Sequence, residues 1–237
     1  MPVKTPNQDE FYNRSAVHLA KELPGELVVT EAGIYVVSIT EAFNGLIRKG
    51  MQESYDTRER EPGELCVTNF RGNPQINVVG NDRSGKPQLT WLHWMKDGSK
   101  EVANPTIVKA IAQSRAEKIS GPAETFDYAM EHLDGTSVLD GNSPLCIISN
   151  SLQPLADRKI SFKEHAGVAD NSGGIATLSG ISSTVESQGW LSLVLKKEAE
   201  RFGIEVEEML NPNKIGKYAK QSKLLTRILR QLANSAS

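Results

Sequence analysis

Short apolar runs, rich in Val and Ile and separated by turn residues, dominate the first two thirds of the chain. Their length and β-branched composition are typical of strands. They predict strands at residues 26–30, 33–40, 65–70, 75–79, 88–95, 145–149 and 159–163. Glu31–Gly33 and Arg71–Pro74 have turn compositions that predict hairpins, so the strands on either side should pair antiparallel.

Other segments place apolar residues three or four positions apart, which predicts helices. These segments are residues 8–22, 105–117, 122–133, 190–202 and 213–232. Residues 44–63 are polar and predict a loop or short helix over the sheet, and residues 164–183 have no clear period. The pattern favours an α+β fold, with residues 1–237 as a single domain. Residues 188–237 should form a helical C-terminal extension that packs on it or forms a basic helix.

The composition is that of a folded globular protein, with 38% hydrophobic and 24% charged residues. The first ten residues are polar and no apolar run approaches the ~18 residues of a membrane helix. We therefore expect a soluble, intracellular protein without membrane contact. Cys66 and Cys146 lie in apolar runs, which fits a reducing compartment. The net charge of −2 means that nucleic-acid binding would require a local basic patch.

Several common sites can be set aside. Gly80–Lys86 matches most of a phosphate-binding P-loop, but Pro87 replaces the required hydroxyl residue and a strand follows, so a hairpin turn is the better interpretation. No histidine has the spacing of a metal ligand, and we expect no metal. His93 differs from the others because an imidazole in an apolar strand needs a partner, either a structural carbonyl or a group in a pocket.

Glu41 ends the apolar strand Ile34–Thr40 and is followed by Ala42 and Phe43. Desolvation at such a position would raise the pKa of the carboxyl group toward that of a general base. Taken alone, the feature fits a solvated strand end better.

Four sequence segments favour the general-base interpretation of Glu41 over a solvated strand end. They occur in order between residues 11 and 150, and together they resemble the alkyladenine (3-methyladenine) DNA glycosylase family. They are Phe11–Val29, Val37–Phe43, Pro62–Asn77 with its Arg71-Gly72 turn, and Gly121-Pro122 followed by Ala129. The resemblance implies a curved, mostly antiparallel sheet with flanking helices. It also implies a monomeric enzyme without cofactor that binds double-stranded DNA containing damaged purines and acts in base excision repair after base flipping.

The resemblance further implies roles for individual residues. Glu41 would activate the attacking water, Phe43 would stack beside it, and Arg71 with Gly72 would form the wedge that enters the minor groove. Asn77 would lie in the base pocket. Thr68 stands where the family has an aromatic residue and His93 where it has an arginine, so the pocket should be less aromatic and less basic than usual.

A basic stripe marks the predicted C-terminal helix. Its members are Lys214, Lys217, Lys220, Lys223, Arg227 and Arg230. Of these, Lys217, Lys220 and Arg227 are predicted to contact phosphates, although a solvated helix face explains the stripe equally well.

The leading hypothesis is a monofunctional glycosylase that removes alkylated or deaminated purines. The alternatives are a non-catalytic DNA-binding relative of the same fold and a hydrolase of another class that uses Glu41 on a nucleoside-like substrate.

Overall fold

In a computed structural model of the protein, the nine strands of the described residues form one curled, half-barrel sheet, and every described strand pair is antiparallel. The structure describes residues 8–43, 60–70, 72–98, 100–164, 173–179 and 187–235. The strands are β1 (Leu27–Thr30), β2 (Ile34–Phe43), β3 (Leu65–Phe70), β4 (Asn73–Asn81), β5 (Pro87–Asp97), β6 (Lys100–Ala103), β7 (Leu145–Ile148), β8 (Lys159–Glu164) and β9 (Gly174–Ser179).

The two longest strands, β2 and β5, pair with each other and make the sheet branch. The edge of β2 that faces away from β5 pairs with two strands. It pairs with β1 near the start of β2, where Val36 lies opposite Leu27, and with β9 near the end of β2, where Glu41 lies opposite Ile175. The edge of β5 that faces away from β2 pairs with β4 in the first half of β5 and with β6 in the second half. The end of β2 therefore lies at the centre of a sub-sheet made of β3, β4, β5, β2, β9 and β8.

Four of the described helices cover one face of the sheet. They are α1 (Gln8–Tyr12), α2 (Ala16–Glu22), α3 (Asn104–Ser114) and α4 (Pro122–His132). The apolar core beneath them includes Leu19, Val37, Leu65, Ile76, Val78, Leu92, Met95, Ile107 and Ile111. Two buried hydroxyl groups hold α2 on this face, since Thr40 Oγ1 donates to the carbonyl of Ala20 at 2.6 Å and Thr90 Oγ1 donates to that of Ala16 at 3.1 Å.

The C-terminal helices cover part of the opposite face. They are α5 (Ser187–Phe202), α6 (Val206–Met209), α7 (Ile215–Gln221) and α8 (Lys223–Ser235). A second core joins them to β1, β7 and the start of β2 through Leu27, Val29, Val36, Cys146 and Ile148. These strand residues alternate with Val28, Val37 and Ile147 of the first core, which places the two helical layers on opposite faces.

The predicted α+β class and the antiparallel sheet are confirmed. Two predicted helices differ, because residues 13–15 separate α1 from α2 and Ser222, with an extended backbone at φ −136° and ψ 112°, separates α7 from α8. Strands β6 and β9 were not predicted. Small residues give Gly174–Ser179 little strand propensity, and this strand forms because it pairs with both β2 and β8. Most of the predicted loop at 44–63 lies outside the described residues.

Within the described part of the chain, no helix combines the length and the apolar character needed to cross a membrane.

Candidate active site on the β2–β5–β4 face

Two irregularities in the pairing of β2 with β5 set the direction of the side chains at the site. Val37 lies opposite Met95, but the next pairs are Ile39 with Trp94 and Thr40 with Leu92. Ser38 on β2 and His93 on β5 therefore have no cross-strand partner in this ladder, as at β-bulges. Such bulges are frequent beside functional sites because they re-aim side chains.

Glu41 points away from α2. Its neighbours Thr40 and Ala42 both face that helix, through the hydrogen bond to Ala20 and an apolar contact cluster with Ala16 and Ala20. Since successive residues of a strand point to opposite faces, Glu41 lies on the face that also carries the C-terminal helices. Its side chain is buried there, at 7% exposure.

A row of side chains crosses this face at the level of Glu41. Glu41 lies opposite Trp91 on β5, Trp91 lies opposite Asn77 on β4, and Asn77 lies opposite Cys66 on β3. Directly paired residues of neighbouring strands project to the same side of a sheet. We define the polar row as Glu41, Trp91 and Asn77 together with Thr68 and His93, which lie two positions beyond Cys66 and Trp91.

Asn77 is held by its amide nitrogen. Nδ2 donates to the carbonyl of Cys66 at 2.9 Å, to Thr68 Oγ1 at 3.1 Å and to the carbonyl of Gln75 at 3.2 Å. Thr68 Oγ1 in turn donates to Gln75 Oε1 at 2.9 Å. Asn77 is fully buried, and no described residue donates a hydrogen bond to its Oδ1. The site thus contains an inward-facing acceptor that the fold leaves unpaired.

Trp91 and His93 form an aromatic stack beside this acceptor. Their ring centroids are 3.8 Å apart and their planes differ by 19°. Burial lowers the pKa of His93, so the imidazole is neutral near pH 7. Its Nδ1 is buried and has no hydrogen-bond partner among the described residues. The sequence suggested either a structural carbonyl or a group in a pocket as the partner of His93. No carbonyl of the described residues forms a hydrogen bond with its Nδ1.

Trp91 was not predicted as a site residue. The signal was present in the alternation of residues 88–95, which places Trp91 and His93 on the same side of the strand. The same alternation placed Met95 on that side as well, but the bulge at His93 turns Met95 into the first core instead. The structure therefore brings Glu41, Thr68, Asn77 and His93 to one face and adds Trp91 between them.

The predicted wedge lies at the end of the β3–β4 hairpin. Phe70 pairs with Asn73, and the sequence has Arg71 and Gly72 between these two strand ends. Gly72 has a φ of +87° and is exposed, and its N–H donates to Asn69 Oδ1 at 2.8 Å. Arg71 itself lies outside the described residues. The backbone of Phe43 ends β2, and its side chain also lies outside the described part.

The predicted basic stripe divides at Ser222. Lys217 and Lys220 are exposed on α7. Arg227 on α8 is 2% exposed and does not belong to that surface. Its guanidinium donates to the carbonyls of Asn142, at 3.2 Å, and Ser143. Burial lowers the pKa of Arg227, and the group serves to join α8 to the loop before β7. The prediction that Arg227 contacts a phosphate is therefore wrong, because its guanidinium binds carbonyl groups inside the protein.

No group of three or more His, Cys, Asp or Glu side chains in the described ranges is arranged to hold a metal ion. The chain matches no protein-family model, no curated protein and no solved structure in the three comparisons.

Proposed function

We propose that the protein is a monofunctional DNA glycosylase that hydrolyses the N-glycosidic bond of an alkylated or deaminated purine flipped out of duplex DNA, in base excision repair. The observation that carries the proposal is the polar row. A buried carboxylate, an aromatic stack and a buried amide lie side by side on three adjacent strands. This combination supplies a base for water, a surface for a planar ring and a polar group for its edge.

In the proposed reaction, Glu41 accepts a proton from a water molecule whose oxygen attacks C1′ of the flipped nucleotide. The C1′–N bond breaks as the C1′–O bond forms, and the electron pair leaves with the purine. A positioned general base of this kind contributes about 10²–10⁴-fold to the rate. The burial of Glu41 favours the role because it limits competition from bulk water for the carboxylate.

The surrounding residues have roles that follow from their position. The purine would lie against the Trp91–His93 stack with its edge toward Asn77 and Thr68. The β3–β4 hairpin carries Thr68 and Asn77 on its strands and Arg71 at its turn, so one element would both line the pocket and enter the minor groove. Exposed Lys217 and Lys220 belong to the helical layer on the same face and would contact phosphates.

The proposal is tested with duplexes that contain hypoxanthine, 7-methylguanine or 1,N6-ethenoadenine, scored for alkali-labile abasic sites. Product should form from at least one lesion, and Glu41→Gln should lower the rate about 10²–10⁴-fold. Glu198→Gln is the matched control, because Glu198 is also buried but pairs with Arg201 at 2.5 Å within α5. If no lesion yields product while salt-sensitive duplex binding persists, the non-catalytic DNA-binding alternative is correct.

A further inference from the structure

The cross-strand row that contains Glu41 continues beyond β2 onto β9 and β8. Glu41 lies opposite Ile175 on β9, and Ile175 lies opposite Lys163 on β8. Directly paired residues of neighbouring strands project to the same side of a sheet. Because neighbouring strands are about 4.8 Å apart, the backbone of Lys163 lies roughly 10 Å from that of Glu41. A lysine therefore stands on the same face as the buried carboxylate and at the same level of the sheet.

The direction of the Lys163 side chain follows from its neighbour Phe162. Phe162 packs against the apolar cluster that α2 forms with β2, and Lys21 of that helix lies over its ring, with Nζ 4.4 Å from the ring centroid. Since successive residues of a strand point to opposite faces, Ser161 and Lys163 project away from α2, to the side of Glu41. Both are exposed, and so is Lys159, which shares their side of the strand.

We define the basic face of β8 as Lys159, Ser161 and Lys163. Among the described residues of β8 and β9 the only carboxylate is Glu164, and strand alternation places it on the other face, with Phe162. The basic face thus carries two ammonium groups and a hydroxyl group with no acidic residue of either strand between them. These are groups that contact phosphate oxygens in protein–DNA complexes. The two lysines are four residues apart, roughly 13 Å along the strand, so each would contact a separate phosphate.

We infer that the basic face of β8 binds the backbone of the DNA strand that carries the flipped nucleotide, with Lys163 on a phosphate next to that nucleotide and Lys159 on a phosphate further along. The inference rests on the proposed function, because it takes Glu41 to act on a nucleotide of duplex DNA. A nucleotide whose C1′ lies beside Glu41 has its own phosphates attached to the same sugar, within reach of a long side chain in the same row. Both lysines lie beyond residue 150, outside the segments that resemble the glycosylase family.

The test uses a duplex in which the target nucleotide is a tetrahydrofuran residue, a stable analogue of an abasic site. It has no base to select and no glycosidic bond to cleave, so binding does not depend on the lesion or on the chemical step. Affinity for the full chain is measured by fluorescence anisotropy. In three further duplexes a single phosphate is replaced by an uncharged methylphosphonate, immediately 5′ of the analogue, immediately 3′ of it, or at a distant position in the same strand.

Lys163→Gln should bind the all-phosphate duplex about tenfold more weakly, which is the effect of losing one charge-assisted hydrogen bond. A methylphosphonate at one of the two flanking positions should weaken the wild type by a similar factor and have no further effect on Lys163→Gln, while the distant one should affect both proteins equally. Lys163→Arg keeps the charge and should retain most of the affinity. Lys100→Gln is the matched control, because Lys100 is exposed on β6, which pairs with the half of β5 away from Glu41, and it should respond as the wild type does.

A second measurement includes the other lysine. Replacement of both Lys159 and Lys163 by glutamine should reduce the slope of log affinity against log salt by about 0.9 for each lost phosphate contact. The inference is wrong if this slope is unchanged, if both flanking methylphosphonates weaken Lys163→Gln as much as the wild type, or if the wild type does not bind the abasic duplex. Abasic product from a lesion duplex without the coupling of Lys163 to a flanking phosphate would remove this contact and leave the proposed function standing. The coupling without any abasic product would contradict the proposed function alone.

Discussion

Arg158 Nη1 lies 2.9 Å from Glu26 Oε1, and both side chains are buried. The same guanidinium nitrogen donates to the carbonyl of Pro24 at 3.1 Å, and the N–H of Asn150 donates to the other carboxylate oxygen at 2.7 Å. This network joins the turn after α2 to the segments that follow β7. Glu26 is thus a buried carboxylate whose two oxygens both take part in structural hydrogen bonds.

Removal of the arginine from this pair should destabilise the fold. Arg158→Met leaves the Glu26 carboxylate buried without its counter-ion, and breaking such a pair costs about 3–5 kcal/mol. The free energy of unfolding from urea titration measures the loss. Lys214→Met is the control, since Lys214 pairs with Glu208 at 2.8 Å on the exposed surface and its loss should change stability little. Equal losses of unfolding free energy in the two variants would show that the Arg158–Glu26 pair does not stabilise the fold.

The sequence could not predict the Glu26–Arg158 pair. The two residues are 132 positions apart, and no periodicity connects them. Local patterns predicted most strands and the β3–β4 hairpin because apolar alternation and turn residues act over a few positions. The polar row could be predicted in part. Four of its members stood on predicted strands and Glu41 directly followed one, but the register that aligns them depends on bulges at Ser38 and His93, which alternation does not reveal.

Arg71→Ala should impair the removal of a lesion from duplex DNA more than from a single strand. In the sequence Arg71 stands between the paired ends of β3 and β4, and a side chain at the end of a hairpin can fill the gap left by a flipped base. Single-stranded DNA has no duplex base stack in which a side chain must replace the flipped base. Initial rates on both substrates should show a loss of about tenfold or more on duplex alone.

Arg83→Ala is the control for this prediction, because Arg83 is exposed in the turn between β4 and β5, at the opposite end of β4. Equal losses on duplex and single-stranded substrates in Arg71→Ala would exclude a wedge at this position.

Acid should destabilise the wild type more than His93→Gln. Burial lowers the pKa of His93 in the folded chain, so below about pH 6.5 the unfolded chain binds the proton more readily. The contribution of the neutral ring to stability is complete above that pH and is lost as the pH falls toward the folded pKa. Urea titrations from pH 7.5 to 5 should show a steeper decline for the wild type.

The half-exposed position of the ring keeps the difference in slope below the ~1.4 kcal/mol per pH unit of one fully transferred proton. Parallel declines in the two proteins would mean that the imidazole is not desolvated in the folded chain. The variant also removes one half of the Trp91 stack, so its lesion affinity should fall at every pH.

Replacement of both Lys217 and Lys220 by alanine should weaken duplex binding and lower its salt dependence. Both ammonium groups are exposed, and the removal of each ammonium–phosphate pair should reduce the slope of log affinity against log salt by about 0.9. The measurement is anisotropy with undamaged duplex over a range of salt concentrations. Arg227→Met separates surface charge from internal charge, because the buried guanidinium donates to the carbonyls of Asn142 and Ser143. That variant should lose stability and keep the wild-type slope. A reduced slope in Arg227→Met, or an unchanged slope in the double lysine variant, would place the phosphate-binding residues on a different surface.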